Sequence, residues 1–187
     1  GPGKHGVVYP IRHGEIVNLV GCVEYEHWDE ESWTTKRPWG ELKDDFAGWN
    51  DEVQELIDSA DRDECYRWAM NNRPPVENWS IGRVTLMGDA AHPTLPYMAQ
   101  GGGMAIEDGM VLARAMTMDS DPAEAIQRYQ RNRLERTSRI VNESTANRGL
   151  FHLPSSEALK DAFAKRNMSG ERNAWLFSYD PVTVELV

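Results

Sequence analysis

Cysteine is scarce in this chain: Cys22 and Cys65 are the two among 187 residues. They form neither a CxxC pair nor a zinc-ligand spacing, so they read as reduced thiols of a cytoplasmic protein, not as a disulfide scaffold. Long apolar runs are lacking too. No stretch reaches the roughly 20 residues that a membrane-spanning helix needs, and no signal-peptide pattern opens the sequence. Positive charge is in deficit, with 20 Lys and Arg against 30 Asp and Glu and a net charge of −10. That balance argues against nucleic acid and anionic membrane as partners. The five histidines are scattered at no metal-ligand spacing, so no metal is expected. No nucleophile elbow supports a hydrolase. Also missing is a GxGxxG turn after a strand, followed by an acidic residue about 20 positions on, which would hold a dinucleotide.

What is present is enough apolar material for a real core, at 40% hydrophobic residues with seven Trp. The length suits one good-sized domain or slightly more. Val7 to Ile11 and Glu15 to Val23 read as two strands joined by a tight turn at His13-Gly14. The second run is nearly continuous in its apolar part, as in a strand covered on both faces. Residues 25 to 39 read as loop. Leu42, Phe46, Trp49, Val53, Leu56 and Ile57 recur at helical spacing and predict two short helices around Gly48-Trp49-Asn50. Residues 64 to 69 suggest another strand, ended by Arg73-Pro74-Pro75. Met104 to Met116 is apolar almost all round and predicts a buried helix. Asp121 is the expected N-cap of the next helix, with Pro122 at its first position and Gly149 as its stop. Residues 155 to 166 predict a weaker amphipathic helix, and the tail from Trp175 to Val187 an extended segment with a turn at Tyr179-Asp180-Pro181. The basic stretch Arg128 to Arg139 reads as a solvated helix face, Glu107-Asp108 as acid complementing a helix dipole, and Arg73 as surface or ion-paired.

The most informative segment runs from Gly82 to Asp108. A β-branched run, Val84 to Met87, ends in Gly88-Asp89. A loop punctuated by Pro93 and Pro96 follows, and Gly101-Gly102-Gly103 opens an apolar helix. Such an order places a carboxylate at a strand tip and lets backbone N–H groups approach a large polar ligand. The segment resembles the second FAD-binding motif of the single-component flavoprotein aromatic hydroxylases, most closely the salicylate, 3-hydroxybenzoate and 6-hydroxynicotinate hydroxylase branch. That family commonly reads Gly-Arg-Val-x-Leu-x-Gly-Asp-Ala-Ala-His-Pro-x-x-Pro-x-x-Ala-Gln-Gly, and residues 82 to 101 carry every stated position.

The resemblance implies an α/β fold of the hydroxybenzoate-hydroxylase type, present only in part, because the family's first FAD motif and its βαβ unit are missing. It implies a substrate-side sheet with helices over 1–79, the second FAD-binding motif over 80–118, and a C-terminal helical region over 119–187. The implied activity is NAD(P)H- and O₂-dependent hydroxylation of a small aromatic acid through a flavin C4a-hydroperoxide. The implied partner is an N-terminal half holding the rest of FAD; a homodimer is left open. The alternatives are a truncated or split binding module without turnover, and a non-hydroxylating flavoprotein of the same superfamily.

Site residues follow from the same resemblance. Asp89, with Gly88, would accept a hydrogen bond from a ribityl hydroxyl; an Asx turn or N-cap is the alternative. Gly101, Gly102, Gly103 and Met104 would face the flavin ring with N–H groups, against the alternative of a flexible loop. Pro93 stiffens the loop beside the flavin. Gln100 would position substrate, or be a solvated loop residue. His5 and Tyr9 are spaced i, i+4, which on a strand puts them on one face. Relatives carry a substrate-contacting His and Tyr at this spacing. A base near neutrality helps because a phenolate is hydroxylated faster than a phenol. The alternative is an exposed histidine. His92 is expected to hold the loop by a structural hydrogen bond.

Overall fold

A computed structural model describes residues 1–28, 30–166 and 173–187. The chain is mixed α/β, rich in helix with two small sheets, as expected. It divides into two compact units: Gly1–Ala69 with Phe151–Leu159, and Met70–Leu150 with Lys160–Val187.

In the first unit, β1 (Lys4–Ile11) and β2 (Ile16–Val23) form an antiparallel hairpin that pairs His5 with Cys22, Val7 with Val20 and Tyr9 with Asn18. The connection is not the expected two-residue turn. Arg12, His13 and Gly14 all have positive φ, at 48°, 58° and 91°, and Glu15 N–H closes the turn onto Arg12 O at 3.2 Å. Helices α1 (Trp39–Asp45) and α2 (Asp51–Asp58) bear out the predicted pair. Asn50 caps α2 by accepting from Val53 N–H at 3.4 Å. Trp39 Nε1 donates to Ile57 O at 2.9 Å and ties the helices together.

The face of the hairpin carrying Gly6, Val8, Leu19 and Gly21 meets Phe46, Trp49, Val53 and Ile57. Gly21 is required there: a Cβ would stand 2.7 Å from the Phe46 ring. Phe46 is buried and makes an edge contact with Trp49 at 4.8 Å. The opposite face carries His5, Val7 and Tyr9, because side chains alternate along a strand. Full cover of β2 is not found: Ile16 and Val17 are exposed. Residues 64 to 69 form a single bridge, Lys36 with Tyr66, in place of a strand. Across the bridge they bond only two backbone groups, Arg37 N–H to Cys65 O and Arg67 N–H to Thr35 O, among the described residues, too few for a ladder.

In the second unit, β3 (Ser80–Ile81) and β4 (Val84–Thr85) make a two-residue ladder around Gly82. The expected strand to Met87 stops early because, among the described residues, β4 pairs only with β3. Helices α3 (Gly101–Met118) and α4 (Pro122–Phe151) supply most of the core. Trp79, Ala91, Val111, Ala115, Ala125, Tyr129 and Leu186 form one cluster; Met104, Ile140 and Leu176 form another. Full burial of chains such as Met104, Val111 and Ile140 contributes about 1.5–3 kcal/mol each.

Asp121 caps α4 as predicted, accepting from Ala123 N–H at 3.0 Å. Gly149 does not end the helix. It continues to Phe151, and Pro154 provides the stop by disfavouring helix in the residue before it. Helix α3 is not buried all round: Met104, Asp108, Val111 and Ala115 face inward, whereas Ile106, Met110 and Met116 are exposed. Helix α5 (Ser156–Lys165) matches its prediction. The tail is not extended throughout: α6 (Ala174–Phe177) precedes a turn closed by Val184 N–H on Asp180 O at 3.0 Å. Arg114 pins this tail by donating to Pro181 O at 2.8 Å and Val184 O at 2.7 Å. No described helix is long and apolar enough to cross a membrane.

Candidate functional site

The turn after β4 is built from a buried glycine and an exposed acid. Gly88 has φ of 57° and lies against Ala105 of α3, whose Cβ is 3.3 Å from where a side chain would start. A glycine is needed on both counts. Asp89 follows in a 3₁₀ turn, Gly88–Ala90, with its side chain in solvent. Ala91 and His92 N–H groups both close onto Gly88 O at 2.9 Å. Arg73 clamps the turn from outside, donating to Ala90 O at 2.5 Å and Ala91 O at 2.9 Å. Arg73 is exposed, as the surface alternative expected, and the groups it donates to are backbone carbonyls.

Beneath the turn lies a buried ionic network that the sequence reading missed. Asp108 is fully buried and takes three hydrogen bonds: Gly88 N–H at 3.0 Å, His92 Nε2 at 2.7 Å and Arg133 Nε at 2.7 Å. Arg133, also fully buried, reaches Glu107 at 2.7 Å, and Arg136 grips the same carboxylate through two nitrogens at 2.8 and 2.7 Å. Arg136 and Arg139 lie over Tyr179 and Trp175 at 4.1 and 3.7 Å from the ring centres. Burial disfavours ionised Asp108, but the His92, Gly88 and Arg133 hydrogen bonds win and hold its carboxyl below the usual range. Burial likewise opposes ionised Glu107, and Arg136 and Arg133 outweigh it.

Two expectations are corrected here. Arg133 and Arg136 are interior, not a solvated face, and Glu107-Asp108 bind them; lying past the first turn of α3, these acids do not serve its dipole. The legible signal was spacing: Arg133 and Arg136 lie i, i+3 on one helix face, and adjacent acids on the preceding helix can meet such a pair. His92 does hold the loop by a structural hydrogen bond, as expected.

The start of α3 is open. Gln100 occupies the N-cap position and makes no side-chain capping bond. A Cβ on Gly102 would meet nothing within 4 Å, and Gly101 and Gly103 would touch only Thr94 and the Gln100 side chain, each at 3.6 Å. The first N–H groups of an 18-residue helix thus face accessible space with its positive dipole end. Pro93 and Gln100 are partly buried along this loop. Met104 is different: its side chain is fully buried with Ile140 and Leu176, and its N–H bonds to Gln100 O at 2.8 Å.

His5 and Tyr9 belong to the first unit. Tyr9 is exposed, and its hydroxyl accepts from Asn18 Nδ2 at 2.8 Å. His5 is half-buried against Phe151, with ring centres 5.2 Å apart. Its Nδ1 lies 2.7 Å from His152 Nε2, and His152 Nδ1 lies 2.7 Å from Glu24 Oε1. Burial first, and then the neighbouring His152, depress the His5 pKa to about 4. The base near neutrality expected at this position is therefore not found, because His5 is held well below neutrality. His152 was among the histidines set aside as scattered.

Asp89 is exposed and the glycine-rich start of α3 has no side-chain cap. The sequence profile described as FAD binding domain matches residues 2–144, and the chain belongs to that family. The chain is 37% identical over 187 residues to 3-amino-4-hydroxybenzoate 2-monooxygenase PtmB3 of Streptomyces platensis, covering 98% of this chain and 47% of that protein. It is 42% identical over 161 residues to 3-hydroxybenzoate 6-hydroxylase of Polaromonas naphthalenivorans, covering 85% and 39%. Among solved structures it resembles Klebsiella pneumoniae HpxO complexed with FAD and uric acid, at TM-score 0.73 and 29% identity over 92% of this chain and 44% of that one. CtdE in complex with FAD and substrate 4 shares the fold at TM-score 0.82 and 24% identity, over 97% and 45%. The aromatic-hydroxylase resemblance of residues 82 to 101 is borne out. The chain spans about half the length of these relatives.

Proposed function

We propose that this chain is the C-terminal portion of an FAD-dependent monooxygenase that hydroxylates a small aromatic acid with NAD(P)H and O₂. The observation carrying this reading is exposed Asp89 beside the uncapped glycine start of α3, both set on the buried Asp108 network. A cradle that a Cβ would narrow fits a large polar cofactor. Asp89 accepts from a ribityl hydroxyl, and the Gly101–Gly103 N–H groups favour negative charge on the flavin ring. Bound FAD would supply the oxygen-activating redox chemistry. The chain's own residues do the rest. Pro93 and Gln100 shape the loop at the cofactor, with Gln100 positioning substrate. His5 and Tyr9, on one face of β1, would contact the aromatic ring of the substrate.

The partner is the remaining half of the polypeptide. Ile81, Val84, Leu86 and Met87, with Ile106 and Met110 of α3, leave apolar surface exposed on the second unit. Cover from the other half of the relatives' length accounts for it. The deciding experiment uses the whole protein that contains this chain, purified and given NADH or NADPH with 3-hydroxybenzoate. The expected result is yellow protein, substrate-stimulated nicotinamide oxidation and a hydroxylated product. A colourless protein, or nicotinamide oxidation without hydroxylated product, overturns the assignment.

A further inference from the structure

The two oxygens of Asp108 serve different partners. Oδ1 takes Arg133 Nε at 2.7 Å, which ties the acid to α4. Oδ2 takes Gly88 N–H at 3.0 Å and His92 Nε2 at 2.7 Å. A carboxylate only accepts, so both groups donate to it. Gly88 and His92 bracket the turn that carries Asp89, and His92 leads into the loop of Pro93. Ala105 stands three residues before Asp108, on the same face of α3. Its Cβ is the atom that a side chain at Gly88 would meet at 3.3 Å. The turn is thus seated on α3 at two points, by close approach at Ala105 and by charge-assisted hydrogen bonds at Asp108. The same helix begins with Gly101, Gly102 and Gly103, roughly 8–10 Å back along its axis. A buried ion pair contributes little net stability beyond an apolar contact of the same volume. What it adds here is direction, because three donors on two oxygens leave the turn one orientation.

We propose that Asp108 is a positioning residue of the cofactor site, holding the Asp89 turn and the Pro93 loop at a fixed distance from the glycine start of its own helix. This rests on the reading that FAD lies between Asp89 and that helix start. Asp108 is fully buried and touches no ligand itself. It acts through Gly88, whose N–H it holds, and through His92. Arg133 fixes the carboxylate from behind, so that Oδ2 stays aimed at the turn. Loosening either Oδ2 bond frees one end of the turn from α3, and the ribityl acceptor then loses its register with the N–H groups of the helix start.

The test uses the whole protein that contains this chain, with Asp108→Asn, His92→Leu and His92→Gln. Equilibrium dialysis gives the FAD dissociation constant, and hydrogen exchange read by mass spectrometry follows the peptide from Leu86 to Leu95. An Asn at 108 cannot accept from Arg133 and from the turn at once, because one of its two groups is a donor. Leu fills much of the ring's volume without a donor, whereas Gln carries an amide N–H at a similar reach to Nε2. In folded Asp108→Asn and His92→Leu, the peptide should exchange faster and FAD should bind about tenfold more weakly or worse. His92→Gln should return both quantities toward wild type. If Asp108→Asn does not fold, the two His92 variants decide alone. Unchanged FAD affinity in folded His92→Leu, affinity lost without faster exchange, or no rescue by His92→Gln overturns the positioning role. Wild-type protein that takes up no FAD overturns instead the reading of the site itself.

Discussion

Gly88 and Asp108 are joined by one hydrogen bond, from the glycine N–H to Asp108 Oδ2 at 3.0 Å. That bond couples the turn bearing Asp89 to the inside of α3. The same carboxylate also takes His92 and Arg133, so turn, loop and both long helices of the second unit converge on one acid.

Removing that acid's charge should be severe. Asp108→Asn strips the charge partner from a fully buried Arg133, and breaking such a pair costs about 3–5 kcal/mol. Urea denaturation of the purified chain measures it. Arg133→Met should cost a similar amount, and the double variant markedly less than the sum, because each single change leaves the other charge uncompensated. Additive losses would show that the two residues act independently.

Gly21→Ala tests the packing of the first unit. The new Cβ would lie 2.7 Å from an aromatic ring that is itself buried, and overpacking costs about 1–3 kcal/mol. Pairing the change with Phe46→Leu should recover part of the loss. A fully tolerated Gly21→Ala would mean that the Phe46 ring can swing away.

Acid should weaken both units, by different groups. The Asp108 and Glu107 carboxyls titrate below their ordinary range in the fold. Their contribution is therefore complete above the unfolded values, about 3.9 and 4.3, and is lost as pH falls through the depressed folded values. His5 is depressed from 6.5 to about 4. Between those values the unfolded chain holds more protons than the folded one, so stability rises with pH across that window. His5→Gln should flatten the slope between pH 4 and 6.5, and leave the steeper loss at lower pH. Chemical denaturation at a series of pH values reads both.

What the sequence made legible was local. The motif from Gly82 to Gly101, the Asp121-Pro122 helix start and the hairpin of residues 4 to 23 each follow from short-range rules of turns, caps and alternation. What it hid depends on chain segments meeting far along the sequence. His152 reads as a stray histidine until Phe151 and His152 are brought to β1. Arg133 reads as surface because arginines on a long polar helix usually are. Gly149 reads as a stop, yet a glycine within a helix costs only about 1 kcal/mol, and the helix runs on to Phe151.

The last test separates stability from cofactor binding at the helix start. Gly102 stands in the first turn of α3 with open space where a Cβ would go. Gly102→Ala lowers the entropy lost on folding and should leave the isolated chain as stable or more so, by up to about 1 kcal/mol. Asp89 is exposed at the turn, so Asp89→Ala should change stability by no more than about 0.5 kcal/mol. Both should nevertheless weaken FAD retention in the whole protein. On the proposed reading, the methyl of Gly102→Ala would occupy the space a ligand needs against the N–H groups, and Asp89→Ala would remove the ribityl acceptor. Equilibrium dialysis against FAD, with denaturation curves from the same preparations, gives the two quantities together. Loss of flavin in step with loss of stability would make both residues structural. Loss of flavin with stability kept identifies the space between Asp89 and the glycine start as the cofactor's own.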